Sequence, residues 1–392
     1  MEIKRIFDTD HHWMPAPDTF TSRLPNKYQD VAPQVVPDEK HGEVWSFEGG
    51  ATLRAFGLEC VGGAEPKDYG WKCTYETMDP GFWQAKARVK AMDADGVEVA
   101  LQFPSVSSYH TIRDDDLYVQ VIRAYNDAIW EWSQEGDPKR LIPAALYPVG
   151  LGNAAAIEEI QRAAKMGYIH VAWCGLPRNR MAQPSTMAFG LGPGLVPSQE
   201  DDPFFAAVQE AHLVVSNHGA QPRGPKLTQG ETVKKAERSA GSVPPPRQGI
   251  GGRGSGQGTA NNLGELIMGG VFERFPELKM SYIETSAAWL PSFLEQLDQA
   301  YLQHRGLAEF PLSKLPSEYA KNIRIPVDIE LQAIKYRHLV GVDRLTVGTD
   351  YPHFGTRFPH TRWYFDLIFS GVPQDEIDKI LWSNAADYYG IN

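Results

Sequence analysis

The sequence predicts an α/β protein of the (β/α)8, TIM-type barrel class, with long inserted loops after strands 1 and 5, on three observations. Short apolar runs alternate with longer segments of helical spacing, which is the order of parallel strand–helix–strand units. Four of those runs lead into carboxylate or imidazole groups, at Asp8-Thr9-Asp10-His11-His12, Ser216-Asn217-His218-Gly219, Ile283-Glu284-Thr285-Ser286 and Gly348-Thr349-Asp350-Tyr351-Pro352-His353. A barrel gathers its chemistry at the C-terminal ends of different strands, so side chains far apart in sequence meet at one mouth. The 392 residues suit one barrel of about 250 residues plus insertions, and residues 1–392 are read as a single domain.

Taken in order, the first strand is read at residues 3–9, where Ile3, Ile6 and Phe7 precede the polar stretch. Residues 13–83 are rich in Pro, Gly and aromatics and too long for an ordinary strand-to-helix loop, so they are read as an insertion over the mouth. A helix at 84–94 and the turn Asp95-Gly96 lead to the second strand, 97–103. Asp114 to Asp116 put negative charge at a helix N-terminus, followed by the stripe Leu117, Val121, Ala124 and Ala128. The third strand is placed at 142–147, and Asn153 is expected to cap a helix over 154–165 that Gly167 closes. The fourth strand is placed at 170–173, a helix at 204–212 and the fifth strand at 213–216.

Residues 219–262 contain Pro244-Pro245-Pro246 and a glycine run from Gly249 to Gly258. No strand immediately precedes that run, so a flexible loop is expected rather than a phosphate cradle, and its position after His218 makes it a candidate lid or subunit contact. The sixth strand (278–283), a helix (290–301), the seventh (323–327) and eighth (345–348) strands and a final helix (374–389) complete the barrel.

Hydrophobic residues make up 42% and charged residues 22%, which supports a large core and excludes a disordered solvating chain. A formal net charge of −11 argues against nucleic acid or anionic membrane as partners, since both need basic surface. Cys60, Cys73 and Cys174 form no spaced framework, which fits reduced thiols in a cytoplasm. The start has no signal-peptide core and no apolar run is long enough to span a bilayer, so a soluble cytoplasmic protein is expected.

The motif Asp8 to His12, Asn217-His218-Gly219, Phe275-Pro276-Glu277-Leu278-Lys279, Thr349-Asp350-Tyr351-Pro352-His353 and the terminal Asn384-Ala385-Ala386-Asp387-Tyr388-Tyr389-Gly390 resemble the amidohydrolase-related (amidohydrolase 2) family. That family includes hydroxybenzoate-type decarboxylases and some lactone hydrolases. By position, the resemblance implies Asp10, His12, His218 and Asp350 as ligands of one divalent ion. The family's opening motif commonly reads His-x-His; here it is Asp10-x-His12, and alternate residues of a strand point the same way, so both reach one ion while His11 points outward. Two carboxylates and two imidazoles suit zinc, manganese or another divalent ion, with zinc as the default. The resemblance also implies a homodimer.

Glu284 stands where many relatives carry a His, and it is open to four roles: extending the metal shell, holding a water, shuttling a proton, or forming a structural ion pair. Asp350, Glu284 and His218 are the catalytic candidates. His353, His110 and Trp289 are candidates to bind a small-molecule substrate, and Arg54 and Arg324 to meet its carboxylate. His360 is read as a solvated loop residue, His170 as structural and Cys174 as a buried small hydrophobe. The resemblance favours a metal-dependent non-oxidative decarboxylase of an aromatic or enol-type carboxylic acid. The alternative is a hydrolase of a lactone, amide or related carbonyl compound using metal-bound water.

Overall fold

The computed structural model describes residues 2–65, 72–106, 108–178, 197–218, 256–307, 311–328 and 330–391. Eight parallel strands form the barrel: β1 (Phe7–Trp13), then, after three strands of the insertion, β5 (Val99–Pro104), β6 (Leu141–Pro143), β7 (His170–Ala172), β8 (Val214–Asn217), β9 (Lys279–Tyr282), β10 (Ile323–Val327) and β11 (Leu345–Val347). Their order is β6-β5-β1-β11-β10-β9-β8-β7. A parallel bridge between Ala145 and Val171 brings the two ends of that order together. Short Val-, Ile- and Leu-rich staves are what a sheet buried on both faces requires.

The expected first strand stops too early. β1 begins at Phe7 and runs to Trp13, pairing His11 with Gln102 and His12 with Phe103, with a register shift between Asp8 and His11. Ile3 and Ile6 are buried but precede the strand. The polar run continues as strand because its side chains line the mouth and need not alternate with apolar ones.

The insertion is more ordered than a loop. It holds an antiparallel sheet of β2 (Gln34–Asp38), β3 (Gly42–Phe47) and β4 (Thr52–Ala55). Trp45, Phe47, Phe56 and Phe20 are buried there and join the main core. Main-chain contacts close it on itself and fasten it to the barrel rim: Met14 N donates to Phe82 O at 3.1 Å, and Gly62 N donates to Pro352 O at 2.8 Å. The Glu48 carboxylate accepts from the N–H groups of Arg113 and Asp114 at 2.8 and 3.0 Å.

The longer helices pack outside the barrel: α1 (Ala85–Asp95), α2 (Asp115–Glu135), α3 (Asn153–Met166), α4 (Asp202–Glu210), α5 (Gly256–Met268) and α6 (Leu290–His304). Asp114 caps α2 by accepting from Leu117 N at 2.7 Å. Gly167 closes α3 with φ 105°, the left-handed region that glycine enters without strain. Asn153 does not cap α3 but opens it, its side chain donating to Glu200 O at 2.6 Å. The expected loop over 219–262 ends sooner than its composition suggests, because α5 starts at Gly256. The triple proline and the glycine run up to Ser255, with the lid or subunit-contact role expected of them, lie outside the described residues. The expected final helix is broken into Gln374–Asp378, a wider turn over Lys379–Ser383, and Asn384–Tyr389. Among the described residues no helix is long and apolar enough to cross a membrane.

Candidate metal centre

Asp10 and His12 sit within β1, two residues apart, and are 0% and 2% exposed. His218 follows directly on β8, Asp350 lies three residues past the end of β11, and Glu284 two past the end of β9. All therefore occupy the C-terminal mouth. Asp350, Glu284 and Ser286 have φ of 58°, 53° and 60°, a left-handed backbone that non-glycine residues rarely adopt and that clusters at functional sites.

Side chains from the two ends and the middle of the chain converge here. Asp10 Oδ1 lies 3.0 Å from His218 Nε2 and 3.3 Å from His12 Nε2. Asp350 Oδ1 lies 3.4 Å from His12 Nε2 and 2.7 Å from His353 Nδ1. The Glu284 carboxylate is 3.8 Å from His218 Nε2 and is open to the mouth, with 37% of its side chain exposed. The His12 ring stacks on His353 at 3.7 Å and meets His218 edge-on at 4.6 Å. Two ligand triads share His12: Asp10, His12 and His218, and His12, Asp350 and His353, each with its donor atoms within 4.8 Å of one another.

Asp10 Oδ2 is buried and receives no hydrogen bond among the described residues. Such an orphaned carboxylate oxygen beside imidazole nitrogens fits a divalent cation. The charges are strongly linked. Burial pulls His12 down, but the Asp10 and Asp350 carboxylates raise it to about 10. Burial raises Asp10 and Asp350, yet the neighbouring imidazoles hold both below the usual carboxylate range. Glu284 moves the other way, pushed up by burial and by the Asp350 carboxylate. One carboxyl at the mouth therefore holds a proton more readily than the others.

Asp8, which the sequence reading passed over, ties the ligand strands together. Its fully buried carboxylate accepts from Asp10 N at 2.9 Å, Thr349 N at 3.1 Å and Thr349 Oγ1 at 2.5 Å. It also lies 3.2 Å from His11 Nε2, so His11, expected to point away from the ion, meets the Asp8 carboxylate. The signal was present: Asp8 stands two residues before one ligand candidate, and Thr349 directly before another. Two further acids were also missed. The Ser286 N–H lies 3.4 Å from Asp328 Oδ2, while Ser286 Oγ and Ala287 N donate to Glu330 Oε1 at 2.9 and 2.6 Å, shaping the turn that carries Glu284. Gly348 is packed against the centre, and a Cβ there would lie 2.9 Å from the Asp10 Cβ.

The other sequence candidates divide. His353 joins the cluster through Asp350. The Trp289 indole N–H donates to the carbonyls of Thr285 and Ser286 at 3.0 and 2.9 Å, bracing the Glu284 turn from within. His110 meets Tyr118 OH of α2 at 2.9 Å. Arg54 is engaged by Glu59 inside the insertion. Arg324 is the second residue of β10 and lies over the Tyr388 ring at 4.4 Å, at the end of the barrel opposite the mouth, so it is excluded as a substrate anchor. His170 faces Ser216 Oγ and Ile142 O and is fully buried. Cys174 is buried, with its thiol pushed up to about 12. His360 is exposed.

The family described as Amidohydrolase matches residues 7–391. The decarboxylase orsB of Emericella nidulans is 25% identical over 279 residues, covering 68% of this chain and 76% of that protein. An amidohydrolase of Mycobacterium avium subsp. paratuberculosis K-10 superposes with TM-score 0.72 at 19% identity, over 99% of this chain and 98% of that one. A dihydroxybenzoic acid decarboxylase of Polaromonas sp. JS666, solved with bound manganese and the inhibitor 2-nitroresorcinol, superposes with TM-score 0.60 at 18% identity, over 100% and 98% of the two chains.

Proposed function

The chain belongs to the amidohydrolase family, and on that footing we propose that it is a metal-dependent non-oxidative decarboxylase of an aromatic or enol-type carboxylic acid. What supports this reading is that Asp10, His12 and His218 form one possible ligand group and His12, Asp350 and His353 a second that shares His12, with Glu284 beside His218 at the open side. These four residues would hold one divalent ion, zinc or manganese, and His353 would brace Asp350 and border the substrate. The bound ion would act as a Lewis acid on the carboxylate and an adjacent oxygen of the substrate.

The chain's own groups do the rest. Asp350, kept ionised by its imidazole neighbours, serves as ligand and not as acid. Glu284, whose carboxyl is raised and faces the mouth, gives its proton to the ring or enol carbon as the bond to the carboxylate breaks and CO2 departs. Trp289 holds the Glu284 turn in place. The substrate is a small molecule, and a cytoplasmic homodimer is part of the same proposal.

The test is to incubate metal-replete protein with a panel of hydroxybenzoates and lactones, following CO2 and the uptake of water oxygen into product. CO2 release that disappears in Asp350→Asn supports the proposal. Oxygen uptake without CO2 would reassign the same residues to hydrolysis, and full activity in D350N would remove that residue from the mechanism.

A further inference from the structure

Arg88, on α1, is 0% exposed and, among the described residues, forms no ion pair with a carboxylate. Burying a guanidinium without an anion is costly, and its donors must all find acceptors. Here they do. Nε donates to Gly81 O at 2.6 Å, Nη1 to Gln102 Oε1, and Nη2 to His12 O at 2.5 Å and to Phe82 O at 3.3 Å. The guanidinium also lies 4.9 Å from the centre of the Tyr351 ring. Burial draws its pKa down to about 10, so it stays charged at neutral pH.

These partners surround the back of the metal centre. Gln102 is on β5, where it pairs with His11. His12 N donates to Tyr351 O at 2.7 Å, and Tyr351 follows Asp350. Arg88 thus grips the carbonyl of the very residue shared by both ligand triads and underlies the strand end that carries the eighth-stave ligand. A planar five-donor fork can span acceptors on two strands and a turn, which a lysine cannot.

We propose that Arg88 is a positioning residue of the metal centre: by holding the His12 main chain against Gln102 and the Gly81–Phe82 turn, it sets where the His12 imidazole meets the ion. The proposal rests on Asp10, His12, His218 and Asp350 being the ligand set.

The test measures the zinc and manganese affinity of chelator-stripped protein by competition with a chromophoric chelator, alongside melting temperature. R88M and R88K are compared with S133A, which removes a buried hydrogen bond from Ser133 Oγ to Leu141 O where β6 begins and touches none of the four ligand candidates. R88M is expected to lose roughly 10–100-fold in affinity and R88K to lose affinity in the same direction, while S133A melts lower and binds metal within about twofold of the parent. Affinities of R88M and R88K within twofold of the parent would overturn the proposal. If R88M does not fold, R88K decides by the same criterion. Failure of the ligand reading is told apart by H218A: if it binds metal as tightly as the parent, the ligand set is wrong and the role given to Arg88 falls with it.

Discussion

Gly348→Ala adds one methyl group where the structure leaves no space for it. The new Cβ would lie 2.9 Å from Asp10 Cβ, 3.1 Å from Asp328 Oδ1 and 3.5 Å from Pro326 Cβ. Carbon pairs rest at about 3.5–4.0 Å, so Asp10 and Gly348 must separate by roughly 0.6–1.1 Å, with Pro326 blocking retreat on one side. The Asp10 Cβ rides on a strand backbone that is fully buried and cannot swing aside as a side-chain tip would. Overpacking of this kind costs about 1–3 kcal/mol, and a shift near 1 Å at a reacting centre costs about 100-fold in rate. G348A should therefore melt a few degrees lower, bind metal more weakly and lose about 10–100-fold in kcat/KM for CO2 release. Thermal melts, chelator competition and initial rates measure the three. A variant unchanged in all three would mean that Asp10 is not where the packing puts it.

Three other outcomes follow from the site and its surroundings. Asp8→Asn turns one acceptor oxygen into a donor against Thr349 Oγ1 and His11; it should lose about 1.5–3 kcal/mol of stability and weaken metal binding, and a stability loss with unchanged metal affinity would confine Asp8 to the fold. Glu284→Gln should keep metal stoichiometry and lower kcat at least about tenfold, whereas a purely structural role would lower only the melting temperature. His170 is held neutral by burial, at about 4 against an ordinary 6.5. Its unfolded form takes up a proton first as pH falls, so its contribution is complete above about 6.5 and fades toward pH 4, by roughly 3 kcal/mol; His170→Gln should lose less stability than the parent over that window in pH-dependent melts.

The barrel was legible because its staves are short apolar runs whose register with turn residues leaves little choice, and seven of the eight lie within a few residues of their predicted places. β1 was misplaced because Asp8, Asp10, His11 and His12 break the apolar pattern used to find strands, although they are the strand. The sheet of β2 to β4 was hidden by the glycines and prolines of the insertion, which mark turns and conceal the short pairings between them. The motifs that hold the ligand candidates stand after apolar runs, a local signal, and the family resemblance picked the four ligand candidates out of them. The residues that hold them were not, since Asp8 and Arg88 act on backbone atoms of distant segments. Arg88 left a trace all the same: Ala85, Arg88, Met92 and Asp95 are the buried positions of α1, so a charged residue occupies the stripe where an apolar one is expected.

The hydrogen bond from Gly62 to the Pro352 carbonyl has a practical meaning for anyone wishing to re-engineer this scaffold. A Cβ at Gly62 would lie 2.9 Å from that carbonyl oxygen, and Pro352 is only two positions from Asp350. The accessory segment is thus a neighbour of the chemistry, not a detachable cover. Swapping it for a relative's version to broaden the range of acceptable molecules would succeed only if the donor sequence keeps a residue without a side chain at this seam.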